Sequence, residues 1–279
     1  MTSSDTSVPV VELNSGGRIP QLGFGTWQIA PEEAEQAVAK ALEVGYRHVD
    51  TAQMYGNEVE VGTAIKASGL DRGEIFLTTK LSNEEHGFQK AKNALEESLS
   101  KLATEYVDLF LIHWPKPQED RYVETWRALV ELRSEGKVRE IGVSNFTVAN
   151  LQRLADETEV VPAVNQIELH PFFQQHGLKR EHGDRGIVTE AWSPLAQGGE
   201  LLEEDAVAGI ADAHGKKPGH VVLRWHIQNG NVIFPKSVTP DRIAQNFEIF
   251  DFELSADEIA TIDGLDRGER IGPDPDQFG

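Results

Sequence analysis

The run VDLFLIH, residues 107–113, is apolar at five of its seven positions and shows no polar face. A strand with one face in water alternates apolar and polar residues, so a near-continuous apolar run indicates a strand covered on both sides. Segments of the same kind lie to either side of it. LGFG (22–25), RHVDTA (47–52) and IFLTTK (75–80) precede it, and VREIGVS (138–144), AVNQIEL (163–169), GIVTEAWS (186–193) and NVIFPKS (231–237) follow. Helical periodicity fills most of the gaps, over 31–45, 57–68, 88–102, 121–135, 147–157, 203–214, 218–229 and 240–249. In the first of these, Ala34, Ala37, Val38, Ala41 and Leu42 share one face, with Pro31 at the start and Gly45 at the stop. DPDQFG (274–279) reads as a loose end.

Eight strand–helix units predict an α/β fold of the (β/α)8 barrel (TIM barrel) type, in which a parallel sheet closes on itself. A doubly wound open sheet is the alternative, but GFG (23–25) runs into TWQ without a GxGxxG fingerprint, and no linker divides the chain. VVELNSGGRIPQ (10–21) has two short runs about an NSGG turn and predicts an N-terminal β-hairpin that plugs the barrel floor. The expected organisation is a flexible tail at 1–9 and one catalytic domain at 10–279.

The chain carries 46 acidic against 26 basic residues, a formal charge of −20. Phosphate backbones need a basic face, so a nucleic-acid partner is excluded. The acidity fits an ordinary acidic bacterial enzyme, with a halophilic source as the second reading. No apolar run approaches the roughly 20 residues that span a bilayer. The polar start MTSSDTSVPV has no secretory pattern, and cysteine is absent. The expectation is a cytoplasmic monomer without membrane contact. The nine histidines show no ligand spacing such as HExxH, so no metal is expected.

Active sites of such barrels form where strands end and loops begin. Asp50 ends the second strand, Tyr55 lies in the loop beyond it, Lys80 ends the third strand and His113 the fourth. A phenol near an ammonium is an acid of adjustable strength. Lys80 would lower the Tyr55 pKa, Asp50 would keep Lys80 charged and in place, and His113 would orient a carbonyl oxygen. Such a set polarises C=O and protonates the developing alkoxide, and the hydride must come from a cofactor. Towards the C-terminus, Thr239-Pro240 reads as a helix start with Lys236 and Arg242 beside it, a pair suited to a phosphate. Trp27 and Trp114 follow strands at the same rim and would line an apolar pocket with Tyr55, His113 and Trp192.

These motifs resemble the aldo-keto reductases. GYRHVDTAQMYGNEVEVG (45–62) is similar to the family's first signature, EGKVREIGVSNF (135–146) to its second and PKSVTPDRIAQN (235–246) to its third. LTTKL (77–81) carries the lysine and LFLIHWP (109–115) the histidine. TEAWSPLAQGGELL (189–202) and the short ending resemble the bacterial branch that includes 2,5-diketo-D-gluconate reductases. The resemblance implies reduction of small carbonyl compounds by NADPH (oxidised form NADP+). It implies Gly25, Thr26 and Asp50 at the nicotinamide end, and Ser144, Asn145 and Gln166 on the carboxamide. Trp192 would stack on the ring. Ser193, Leu195, Gln197, Gly198 and Gly199 would wrap the pyrophosphate. Lys236, Ser237, Val238, Thr239 and Arg242 would hold the adenosine 2′-phosphate, with Gln245 and Asn246 near adenine. The chain departs from many relatives at Ser82, where they carry tryptophan, and at Phe234, where they carry a small aliphatic residue. A nucleotide-sensing regulatory subunit and a Schiff-base aldolase built on Lys80 are the alternative readings.

Overall fold

The structure is a computed structural model and describes residues 8–278, so most of the expected tail lies outside the described residues. It begins with a hairpin, β1 (Val10–Glu12) and β2 (Arg18–Pro20), paired antiparallel with Val11 opposite Ile19. Eight parallel strands follow: β3 (Phe24–Gly25), β4 (His48–Asp50), β5 (Phe76–Leu81), β6 (Val107–Ile112), β7 (Val138–Ser144), β8 (Val164–Glu168), β9 (Val188–Trp192) and β10 (Val232–Ile233). They lie side by side in chain order. A bridge between Leu22 and Ile233 joins the first to the last and closes the barrel. Two hydrogen bonds make this seam, Gly23 N–H to the Ile233 carbonyl at 2.8 Å and Ile233 N–H to the Gln21 carbonyl at 3.0 Å.

Helices α1 (Pro31–Val44), α2 (Glu58–Ala67), α3 (Phe88–Lys101), α4 (Tyr122–Ser134), α5 (Val148–Thr158) and α6 (His176–Arg185) each connect two strands. Three helices, α7 (Glu200–Glu203), α8 (Asp205–His214) and α9 (Pro218–Gln228), separate β9 from β10, and α10 (Pro240–Gln245) and α11 (Ala256–Asp263) follow. The expected helix over 203–214 is thus broken between Glu203 and Asp205, and the one over 240–249 stops at Gln245. Two helices lack an apolar signature. The α6 segment, HGLKREHGDR, buries only His182. The α11 helix buries only Ile262, although Ser255 and Glu258 form a complete capping box at its start.

Side-chain parity divides the core. On β6, Phe110 and Ile112 face outward into the cluster shared with the helices. Leu109 and Leu111 face inward and pack with Val164, Val188, Val232 and Phe234. Leu13 and Ile19 of the hairpin belong to this inner cluster, which makes the hairpin the floor of the barrel. His48 Nδ1 lies 3.1 Å from the Pro20 carbonyl and ties that floor to β4. The interior is tight at Gly142 of β7, where a Cβ would stand 2.6 Å from a Val164 methyl and 2.8 Å from the Val164 carbonyl oxygen. Among the described residues no helix is long and apolar enough to cross a membrane.

Ile19 is fully buried in the floor, at the end of the barrel opposite the strand C-termini. Ile19→Ala is therefore expected to lower the unfolding free energy by about 2–5 kcal/mol and to leave nucleotide affinity unchanged. Denaturant unfolding and a nucleotide titration of the same variant check both parts.

Candidate active site

The residues expected at the mouth sit on successive strand ends. Asp50 is the last residue of β4 and pairs in register with Thr78 of β5. Lys80 follows Thr78 by two residues and so points into the barrel, where it is completely buried. Its ammonium has three hydrogens and three acceptors: Asp50 Oδ1 at 2.6 Å, the Thr51 carbonyl at 3.0 Å and the Tyr55 hydroxyl at 3.2 Å. Tyr55 ends a single 3-10 turn, Gln53–Tyr55. Gln53 fixes that turn by donating to the Ala94 carbonyl and Ser98 Oγ and accepting from the Ser82 amide at 2.7 Å. The ring of His113 stands 5.7 Å from that of Tyr55, edge to face. Asp50, Tyr55, Lys80 and His113 thus form one group.

Burial acts on each of them differently. For Lys80, burial opposes the charge, but the Asp50 carboxylate and the Tyr55 oxygen outweigh it and hold the pKa above its ordinary value. An ammonium held charged with all three hydrogens engaged is no amine nucleophile, which removes the basis for a Schiff-base reading. For Tyr55, burial pushes the pKa up and the Lys80 charge pulls against it, with a net upward direction. The lowered pKa expected from Lys80 alone is thus reversed, because burial of the phenol is the larger effect. For His113, burial and then the Lys80 charge hold the pKa well below its ordinary value, so the imidazole is neutral at neutral pH. Its buried Nδ1 has no partner among the described residues.

Beside this group lies a chain of amides. Ser144 at the end of β7 donates from Oγ to the Gln166 carbonyl at 2.8 Å. The Asn145 amide donates to the His113 carbonyl at 3.0 Å, and its Oδ1 accepts from the Trp192 indole at 2.8 Å. The Gln166 side chain donates to Asp50 Oδ2 at 2.9 Å. Gly25 pairs in register with Asp50, and the amide and hydroxyl of Thr26 both reach the Asp50 carbonyl. Gly25, Thr26, Asp50, Ser144, Asn145, Gln166 and Trp192 are therefore one connected shelf.

The remaining residues expected at the cofactor lie on two segments on adjacent strands. After β9, Ser193, Ala196, Gln197, Gly198 and Gly199 all have positive φ, which coils the loop tightly, and Leu195 packs on the core. After β10, Ser237 Oγ accepts from the Thr239 amide at 3.0 Å, Val238 is exposed, and the Gln245 side chain accepts from Lys217 at 2.7 Å. Asn246 caps the C-terminal end of α10. Lys236 and Arg242 are exposed, and neither makes an ion pair among the described residues. Cations left unpaired in a chain so acidic fit an anionic ligand. Among the described residues no cluster of His, Asp and Glu is arranged to hold a metal.

At the rim, Trp27 is 44% exposed and Trp114 only 7%. Phe278 covers Trp114, with ring centroids 4.5 Å apart. The ending read as loose is thus packed across the mouth as far as it is described. Two acids escaped the sequence reading. Glu168 is buried at the end of β8, and its carboxylate accepts from the amides of Ile271 at 2.6 Å and Gly272 at 2.9 Å. A Cβ on Gly272 would lie 2.3 Å from the Trp192 ring, so this segment lies directly against the indole. Glu190 is fully buried in β9 and accepts from the same Gln166 nitrogen as Asp50 does, at 2.9 Å. The signal for both was an acid on the inward parity of a buried strand.

Comparison with known proteins places the chain in a family. The family model described as Aldo/keto reductase family matches residues 21–267. An aldo-keto reductase of Mycobacterium sp. strain KMS is 52% identical over 270 residues, covering 97% of this chain and 98% of that protein. Methylglyoxal reductase DkgA of Escherichia coli is 51% identical over 271 residues, with 97% and 98% covered. Among solved structures, an aldo/keto reductase from Brucella melitensis is 54% identical with a TM-score of 0.90, covering 93% of this chain and 100% of that one. A variant of Gox0644 solved in complex with NADPH is 46% identical with a TM-score of 0.94, with 98% and 99% covered. The chain belongs to the aldo-keto reductase family.

Proposed function

We propose that this protein reduces small reactive aldehydes and ketones with NADPH, that Tyr55 delivers the proton, and that dicarbonyls of the methylglyoxal kind or keto-sugar acids are its substrates. The observation that carries the reading is the placement of the Lys80 ammonium, 2.6 Å from Asp50 and 3.2 Å from the Tyr55 hydroxyl.

The bound cofactor supplies the hydride, which no side chain can. The hydrogens of Ser144, Asn145 and Gln166 are engaged within the shelf, so its side-chain oxygens are what it offers to the carboxamide NH2, and Trp192 would lie against the ring. Lys236 and Arg242 take the 2′-phosphate, for which the guanidinium fork is the better match. Tyr55 holds its proton at neutral pH as any phenol does, and burial shifts its pKa further upward. It gives that proton to the oxygen that becomes an alkoxide, and the Lys80 charge stabilises the phenolate left behind. Asp50 keeps Lys80 charged and aimed. His113, being neutral, donates an N–H to the substrate oxygen without adding a charge that would compete with Lys80. The rim formed by Trp27 and Trp114 is aromatic, which suits a small carbonyl compound with few polar groups. The DkgA relatives, named methylglyoxal reductases, support that substrate class.

Tyr55→Phe is expected to cut reductive turnover of methylglyoxal by about 10²–10⁴-fold while NADPH still quenches tryptophan fluorescence with the wild-type Kd. Turnover near the wild-type rate would reject Tyr55 as the acid. Arg242→Ala is expected to weaken NADPH binding by about tenfold or more and to leave NADH binding unchanged. An equal loss for both nucleotides would remove Arg242 from the phosphate site.

A further inference from the structure

Glu190 is a buried acid beside Gln166 that the reaction outlined above does not use. It sits in register with Gln166 on β8 and with Val232 on β10, on the inward face of β9. The Gln166 amide nitrogen has two hydrogens, and the structure gives one to Asp50 Oδ2 and one to Glu190 Oε2, each at 2.9 Å. The other carboxyl oxygen, Oε1, is buried and has no partner among the described residues. A carboxylate can accept about four hydrogen bonds; this group receives one, from a nitrogen it shares with a second acid. An ion so poorly solvated is costly, whereas a neutral carboxylic acid fits the same space.

We propose that Glu190 is a positioning residue for hydride transfer: with Asp50 it clamps the Gln166 amide at the nicotinamide shelf, and its charge state biases that shelf between the neutral reduced ring and the cationic oxidised ring. This rests on the reading that the nicotinamide lies against Gln166. While Glu190 is neutral, the shelf carries the Asp50 and Lys80 charges alone, which offset each other, and the reduced ring is bound without an added field. Once Glu190 ionises, an uncompensated negative charge stands beside Gln166 and favours the positively charged ring. By linkage, the oxidised cofactor must in turn draw the proton off Glu190 more readily than the reduced one does.

The window for this exchange is set by the groups around it. Burial and then the Asp50 charge push Glu190 up to about 8, with Gln166 and Lys80 pulling the other way. From β8 and β10 the neighbours are uncharged, Gln166 and Val232. From β4 and β5 they are Asp50 and Lys80, and Lys80 keeps its proton well beyond that range. His48, deeper on β4, is held down to about 3 by burial. His113 is likewise neutral, and Tyr55 is shifted away from the window in the upward direction. Glu190 is thus the group at the shelf that changes charge near pH 8.

The test is the ratio of the Kd values for NADPH and NADP+, measured by tryptophan quenching across two pH units on either side of about 8. The ratio cancels the titration of the 2′-phosphate, which both forms carry. In the wild type, NADP+ is expected to gain about five- to tenfold on NADPH as pH rises through the window. In Glu190→Gln the ratio is expected to be flat. Should the amide impair folding, Glu190→Met gives the same comparison. Infrared spectra of the wild-type protein bound to NADPH supply a check that needs no variant: a protonated carboxyl stretch that disappears with the midpoint of the binding shift. A pH-independent wild-type ratio with both nucleotides bound tightly would overturn the role of Glu190 and leave the proposed function standing, as would a variant that keeps the wild-type slope. Failure of the wild type to bind either nucleotide would overturn both.

Discussion

Removing an ammonium and a carboxylate from water costs several kcal/mol per ion, and their attraction offsets that cost only when the remaining hydrogen-bonding capacity is met. Lys80 meets it in full, and Asp50 receives one bond on each oxygen. All three Lys80 hydrogens are placed, and the two Asp50 oxygens are divided between Lys80 and Gln166. One carboxylate therefore ties Lys80, and through it Tyr55, on one side to the Gln166 amide on the other. Asp50 and Gln166 are 116 positions apart in the chain and meet only because the sheet closes. The hairpin floor, the inner layer of Leu109, Leu111 and Val164, and the seam at Ile233 all contribute to holding that one carboxylate at the right depth. The isosteric loss of either partner would leave an unpaired buried charge, which is why the pair constrains the barrel more than any single apolar contact does.

The fold was legible where burial is total. A parallel strand covered on both faces must be apolar throughout, and VDLFLIH and its counterparts announce themselves by that. Helices α6 and α11 were not legible by the same route, because each buries a single side chain and has no stripe to detect. The capping box at Ser255 and Glu258 was the available signal for the second of them. The positions of Asp50, Lys80 and His113 followed from a rule about strand ends. Glu190 and Glu168 did not, because an acid within a strand reads as an exposed residue until the parity of that strand is known. The balance at Tyr55 was also out of reach, since a sequence shows that a lysine is near but not how deeply the phenol is buried.

Electrostatics in this protein work on two scales. At long range the net charge of −20 repels an anionic nucleotide. At short range Lys236 and Arg242, exposed and unpaired, reverse that sign over one patch. Most other lysines and arginines of the structure are spent on neighbouring acids, as in the Lys92 bridges to Glu131 and Glu135 or the Arg267 contacts with Glu200 and Glu269. The pair places positive charge beside the start of α10 on a surface that is acidic overall.

A barrel escapes the hazard of open sheet edges only while its first and last strands stay joined. Here that joint is the shortest ladder in the sheet, two hydrogen bonds across Gln21, Gly23 and Ile233. Phe234 braces it: its ring occupies the space that a Cβ on Gly23 would need, at 2.7 Å, and its carbonyl does the same at Gly25, at 2.9 Å. The Phe234 side chain and Gly23 are therefore fitted to each other, and Gly25 is fitted to the Phe234 backbone. If the seam parts, β3 and β10 become two bare edges at once, each able to pair with the edge of another molecule. The fit of the Phe234 ring against Gly23 thus bears on how this chain meets other molecules as well as on how it folds.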